Sequence, residues 1–237
     1  MENNSNVSNN EVTAKNLNRE EIKLDKIKGN NWWYRFTKRC FDFISSLIVI
    51  LLISWFLLIL WFINLIATKG HPIYKDKRVG YKGKEISVYK FRSMYFDAND
   101  KPEKYFTKEQ MEVWLRERKV DDDPRITKFG KFLRKTSLDE LPQLFNILFG
   151  TLSVIGWRPI PAHELDGNYF DYEKNILLSG KPGLTGYWQV KARSNADYES
   201  GERQKLELEY FTKRGFWYDL GLIFRTIPAV LKGRGAE

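Results

Sequence analysis

Between Phe43 and Thr68 the chain carries no charged residue, and from Leu47 to Ile63 it is apolar on every face of a helix. Roughly 20 such residues are enough to cross a hydrocarbon core. A helix that is hydrophobic all round has no polar face to give to water, so the alternatives are a membrane segment or a deeply buried core helix. Length and all-round hydrophobicity favour the membrane. Trp32, Trp33 and Tyr34 stand just ahead of the run, where interfacial aromatic anchors belong. Basic residues flank it on both sides: Arg35, Lys38 and Arg39 before, Lys69, Lys75, Lys77 and Arg78 after. The positive-inside rule then fits a segment that enters and returns to the same face better than one that spans. A cleaved signal peptide is not expected, because the run starts some forty residues in and lacks a small-residue cleavage site.

The segment after Thr68 is long enough for one globular domain with its own core. A single cysteine, Cys40, excludes an intramolecular disulfide and a cysteine metal site, and with only His71 and His163 a multi-histidine zinc site is excluded too. The net charge of +9 suits nucleic acid, an anionic membrane face or phosphorylated substrates. The membrane segment and the lack of any nucleic-acid-binding signature leave the last two. The domains expected are a disordered polar arm over 1–31, a membrane-embedded helix over 32–69 and a globular domain over 70–237.

Within that domain the run from Arg134 to Gln143 carries two adjacent carboxylates, Asp139 and Glu140, with basic residues just upstream. Leu141, Leu144, Phe145, Leu148 and Phe149 follow at helical spacing up to Gly150, which places the acids in a first helical turn. Ser137 and Glu140 are in capping-box register. Two readings stay open at this point. Acids are common in first turns because they complement the helix dipole, and a carboxylate pair beside bases also suits phosphate chemistry.

Elsewhere Gly70-His71-Pro72 ends the long helix, and Glu85 to Arg92 is the best strand, entered through a turn at Tyr81 to Lys84. Residues 107 to 119 read as a charged surface helix, and Asp121-Asp122-Asp123-Pro124 as an exposed turn and helix cap. Ser153 to Pro161 is an extended piece bearing Arg158, and Lys181-Pro182-Gly183-Leu184 has Pro-Gly at the centre of a type II turn. That loop is either a simple reversal or a rigid rim beside a phosphorylated ligand. The fold class expected is α+β, mainly helical.

An ordered set of motifs resembles the bacterial sugar transferase family: Lys38 to Asp42, Arg78-Val79-Gly80, Tyr89 to Met94, Asp123 to Thr127, Phe132 to Gln143, Asn146, Arg158-Pro159 and Pro182 to Gly186. These are monotopic phosphoglycosyl transferases that load a sugar phosphate onto a polyprenyl phosphate carrier. The resemblance implies a ping-pong transfer from a UDP-sugar with release of UMP. Asp139 would be the nucleophile, carrying an aspartyl-phosphosugar, and Asp139 and Glu140 would hold Mg2+. Lys90, Arg92, Arg134 and Arg158 would contact phosphate, with a substrate loop drawn from Arg78, Pro159, Pro182, Gly183, Thr185, Gly186 and Gln189. It also implies a bacterial inner-membrane location with the catalytic domain facing the cytoplasm, a re-entrant helix, amphipathic helices on the membrane surface for which Phe211 to Leu231 is the candidate, a UDP-sugar donor, a polyprenyl phosphate acceptor and contact with membrane lipid. No nucleic-acid partner is implied, and homodimerisation is left open.

The chain departs from the family pattern twice, with Ser54-Trp55 where a Ser-Pro pair usually breaks the helix and Trp157 where Gly-Pro-Arg-Pro is usual. Trp157 is expected to bear on sugar choice. The alternative function is a catalytically silent membrane scaffold for glycosyltransferases, which replacement of Asp139 or Glu140 would have signalled; both are present.

Overall fold

A computed structural model of the protein describes residues 27–28, 31–117, 120–192 and 198–231. In chain order the elements are helix α1 (Trp32–Thr68), strands β1 (Ile73–Val79) and β2 (Glu85–Phe91), α2 (Lys108–Glu117), α3 (Lys128–Thr136), α4 (Gln143–Phe149) and β3 (Ser153–Ile155). They continue as α5 (Ala162–Asn168), α6 (Asp171–Leu178), β4 (Gly183–Thr185), α7 (Tyr187–Lys191), α8 (Glu202–Lys213) and α9 (Phe216–Leu231). Among the described residues the fold is therefore mainly helical with two small sheets, β1–β2 and β3–β4. The expected arm falls on residues that lie mostly outside the described set.

Helix α1 runs unbroken for 37 residues through Ser54 and Trp55, a rise of about 55 Å. Ser54 returns its hydroxyl to the Leu51 carbonyl (3.0 Å) instead of disturbing the ladder. No interruption marks a turning point. Much of the helix is bare: Leu52 is 69% exposed and Leu58 68%. It is long and apolar enough to cross a membrane. It is not uniformly bare, however, because Leu57, Leu60, Asn64 and Thr68 form one buried face.

The chain divides into two compact units, one made of Met1–Ser45, Lys77–Ser87 and Asn146–Gly235, the other chiefly of Ser46–Asp76 and Val88–Phe145. In the second unit Leu57 and Leu60 pack with Phe91 of β2 and Leu133 of α3, and Ile73, Phe129, Leu138, Leu141 and Phe145 close around them. Asn64 donates to the Pro72 carbonyl (2.8 Å), which ties the end of α1 to the start of β1. Helix α3 begins at Thr127, whose hydroxyl accepts from the Gly130 N–H (2.8 Å). Asp123 is not a cap; it is buried and pairs bidentately with Arg125 (2.7–3.1 Å), whose guanidinium stacks on Phe106 and Trp114. Helix α2 falls where the charged pattern placed it, with Leu115 exposed and Trp114 half-buried.

The first unit has a larger core, in which Trp157, Ile155, Ile160, Ile176, Leu177, Leu208, Phe211 and Leu222 are buried together. The type II turn expected at Pro182-Gly183 is absent. Gly183 starts β4, which runs parallel to β3 with Ser153 opposite Gly183 and Ile155 opposite Thr185. Its backbone is not left-handed; glycine is required there because a Cβ would fall 2.1 Å from the Gly156 nitrogen. The C-terminal segment is likewise two helices, since α8 ends at Lys213 and α9 starts at Phe216. Phe211, expected on an interfacial face, is fully buried in the core, whereas Trp217 and Phe224 of α9 are exposed. The side chain of Ile227 lies outside the described set.

The start of α1 is bolted to this first unit by polar contacts. Asp219 of α9 accepts from Lys38 (2.6 Å), Tyr34 (2.8 Å) and Tyr210 (3.0 Å). Asp42 accepts from the Ser153 hydroxyl (3.1 Å) and the Val154 N–H (3.0 Å), and Arg39 donates to the last carbonyls of α4, Ile147 (2.8 Å) and Leu148 (2.7 Å). Buried acceptors are thus met by donors, which is what keeps such a network affordable.

Candidate active site

The acids sit ahead of a helix, not inside its first turn. Ser137 terminates α3 in the left-handed region (φ 56°, ψ 18°), and its N–H bonds the Arg134 carbonyl (3.0 Å). Its side chain makes no cap bond, so the capping box does not form. Leu138–Glu140 then make one 3-10 turn before α4 starts at Gln143. Leu138 and Leu141, three apart and so on one side of that turn, pack toward Leu133 and Phe91, and Asp139 and Glu140 are left half-buried between them. The face of α4 that is buried also differs from the sequence pattern: Leu144 and Ile147 are inside, and Phe149 is exposed.

The positive charge at this turn comes from two elements of the same unit. Lys90 of β2 brings its Nζ to 3.6 Å from Glu140 Oε1. Arg134 of α3 donates from Nε to the Ser93 hydroxyl (2.9 Å), and no ion pair within 4 Å occupies its guanidinium among the described residues. Desolvation pushes the Asp139 carboxyl from 3.8 up to about 6, and the adjacent Glu140 pushes it the same way; Lys90 and Arg134 oppose them. A carboxylate tuned in this way is ionised at neutral pH and less stabilised than an exposed one. That is a competent nucleophile held against a like-charged neighbour.

Arg92 is not brought to this pair. Its Nε donates to the His71 carbonyl (2.8 Å) and its guanidinium lies over Phe96 and Tyr74 (5.0 and 5.5 Å). Arg78, Arg158, Pro159, Pro182, Gly183, Thr185, Gly186 and Gln189 belong to the other unit. There Arg158 follows β3 and lies 6.0 Å from the Trp188 ring; Gly186 precedes α7, and Thr185 meets Thr226 (3.3 Å). Trp157 does not line an open pocket: it is 1% exposed, with its indole N–H on the Gly180 carbonyl (2.9 Å).

A polar cluster beneath Arg158 had no local signal in the sequence. Glu207 of α8 is 2% exposed, and among the described residues no side chain donates a hydrogen bond to its carboxylate, which faces the backbone N–H of Arg158. Burial raises its carboxyl from 4.5 to about 7, while Arg203 and Arg158 draw it back down. Arg203, 3.9 Å from Glu207, is stacked between Tyr198 (4.0 Å) and Trp188 (4.5 Å). The i, i+4 spacing of Arg203 and Glu207 reads in a sequence as an ordinary surface ion pair.

Comparison with known proteins gives a consistent picture. The model of the bacterial sugar transferase family matches residues 33–233. The undecaprenyl-phosphate galactose phosphotransferase of Salmonella typhimurium is 39% identical over 204 residues, covering 85% of this chain and 42% of that protein. The exopolysaccharide production protein ExoY of Rhizobium meliloti is 36% identical over 201 residues, covering 84% of this chain and 87% of the relative. The UDP-glucose:undecaprenyl-phosphate glucose-1-phosphate transferase of Escherichia coli is 35% identical over 197 residues, 81% of this chain and 40% of that protein. The chain thus spans about two fifths of the galactose and glucose phosphotransferases and most of ExoY.

Proposed function

The chain belongs to the bacterial sugar transferase family, and from that premise we propose that it transfers a sugar-1-phosphate from a UDP-sugar to undecaprenyl phosphate, as a first membrane step of exopolysaccharide, capsule or glycoconjugate synthesis. The observation that carries the reading is the Asp139–Glu140 turn, with a carboxyl raised to about 6 and Lys90 and Arg134 beside it. In the first half-reaction an Asp139 oxygen attacks the sugar-bearing phosphorus, the diphosphate P–O bond breaks and UMP leaves with the electron pair. In the second, an oxygen of the lipid phosphate attacks the same phosphorus and Asp139 is released as a carboxylate. Dividing the exchange lets a water-soluble donor and a lipid acceptor react at one surface in turn.

Mg2+ fits this pair. Two adjacent half-buried carboxylates are the kind of ligand Mg2+ takes from a protein while it keeps waters and substrate phosphates in the rest of its shell. When bound, it would supply charge neutralisation on the diphosphate. Lys90 and Arg134 hold positive charge at the turn for the same oxygens, and Arg134 offers the fork that matches a phosphate. Arg92, Arg158 and the Pro182–Gln189 segment enter the reading through the family resemblance. Helix α1, with its bare apolar surface and basic flanks, is read as the anchor in the cytoplasmic membrane, with the catalytic part on the cytoplasmic side.

The test is UMP release by the detergent-solubilised protein with polyprenyl phosphate and a panel of UDP-sugars. Donor labelled in the sugar should tag the protein in the absence of acceptor, and Asp139→Asn should abolish both tag and turnover. A tag that survives in Asp139→Asn removes Asp139 from the mechanism. A full panel without UMP release removes the activity and leaves the scaffold reading.

A further inference from the structure

We infer that Ser93 is a positioning residue for Arg134, fixing the guanidinium so that its two terminal nitrogens remain for an end-on contact with phosphate. The inference deepens the reading above and rests on it. Ser93 lies two residues past β2, and its carbonyl and hydroxyl both meet α3 or its cap. Its carbonyl accepts from the Thr127 N–H (3.0 Å) and faces the Thr127 hydroxyl (3.4 Å). Its hydroxyl accepts from Arg134 Nε (2.9 Å). Thr127, Gly130 and Arg134 are spaced i, i+3, i+7, so one side of α3 runs along this residue. The approach is so close that a Cβ at Gly130 would fall 1.9 Å from the Ser93 carbonyl oxygen. The contact is therefore set by backbone and not by chance meeting of two flexible side chains.

The choice of nitrogen matters. An arginine can present a carboxylate or phosphate with either its Nε side or its end. With Nε occupied by Ser93 only the end remains, and no carboxylate within 4 Å takes it among the described residues. Arg134 is one of the two cations that oppose the raised Asp139 carboxyl, so its held charge lies at the reacting group. Holding it in one orientation before substrate arrives removes part of the ordering cost of binding.

The experiment is a double-variant cycle in the UMP-release assay, using the UDP-sugar of the panel that gives the highest rate. Ser93→Ala should lower kcat/KM about tenfold, mainly through KM for the donor, and Ser93→Thr, which keeps the hydroxyl, should recover most of it. In an Arg134→Ala background Ser93→Ala should add less than twofold. Additive losses, or Ser93→Thr as poor as Ser93→Ala, overturn the inference. A second arm does not need turnover: in protein labelled with 15N-arginine, the Arg134 Nε–H should exchange with water at least tenfold faster in Ser93→Ala. Unchanged exchange overturns the inference, whereas a panel without UMP release, with exchange accelerated, sinks the activity and leaves the Ser93–Arg134 contact standing.

Discussion

Glu207→Gln separates a buried charge from its surroundings in a way that pH can read. The Glu207 carboxyl stands at about 7 in the folded chain against an ordinary 4.5, because burial outweighs the pull of Arg203 and Arg158. A carboxyl whose folded pKa is raised binds its proton more tightly in the native state. Its full contribution to stability is therefore present below pH 4.5 and declines as pH rises toward 7, after which the loss is constant. The shift corresponds to ~3 kcal/mol at about 1.4 kcal/mol per unit. Glutamine keeps the shape and cannot ionise. The attraction of the ionised carboxylate to Arg203 and Arg158 is already contained in the value of about 7, so the offset that remains, protonated Glu against Gln, does not vary with pH. Urea unfolding of both proteins in the same detergent, at pH 4 and pH 8, should thus show the difference between them moving by ~3 kcal/mol in favour of Gln at the higher pH. Every other titrating group cancels in that double difference. Parallel stability-versus-pH curves for the two proteins would refute the argument, and would mean that Glu207 is solvated or fully paired.

Two further predictions concern the site and the fold. Titration of metal-free protein by carboxyl NMR should give an Asp139 midpoint near 6, and Glu140→Gln should lower it because the like charge that raises it is gone. A midpoint at or below 4 would show the turn to be open to water. Gly183→Ala should cost about 3 kcal/mol and scatter the β3–β4 pairing, since the new Cβ would meet backbone at 2.1 Å, whereas Gly167→Ala, with nothing within 4 Å, should be near neutral; equal unfolding midpoints for the two would contradict the packing.

The local and periodic features were legible in the amino-acid sequence. An uncharged apolar stretch, the breaker at Gly70-His71-Pro72, the turn before Glu85 and the charged pattern of α2 each depend on residues close along the chain, and each appears where those residues put it. Adjacent acids beside bases marked Asp139 and Glu140 as a pair to examine, and the ordered motifs identified the family. Where neighbours in space overrule neighbours in sequence, local rules gave the wrong local structure. Pro182-Gly183 has the composition of a type II turn, but β3 offers a parallel partner, and its close approach uses the missing Cβ of glycine in place of a positive φ. Ser137 and Glu140 have capping-box spacing, but the end of α3 takes Ser137 into a left-handed conformation and a 3-10 turn follows.

Electrostatics were decided by tertiary structure almost entirely. No pattern in the sequence distinguishes Arg92, turned onto aromatic rings at the hairpin base, from Lys90 two positions earlier, which faces Glu140; successive strand positions alternate sides, but β2 has ended by Arg92. Glu207 and Arg203 have the spacing of a surface pair, but the fold buries Glu207 and sets the Arg203 guanidinium over the Trp188 and Tyr198 rings. The sequence by itself determined which residue types were available and which segments were apolar, because hydrophobicity and backbone preference belong to single residues and short windows. Which carboxyl is raised, and which arginine keeps its end unspent, depends first on desolvation and then on groups that other segments bring close, and these exist only once the chain has folded.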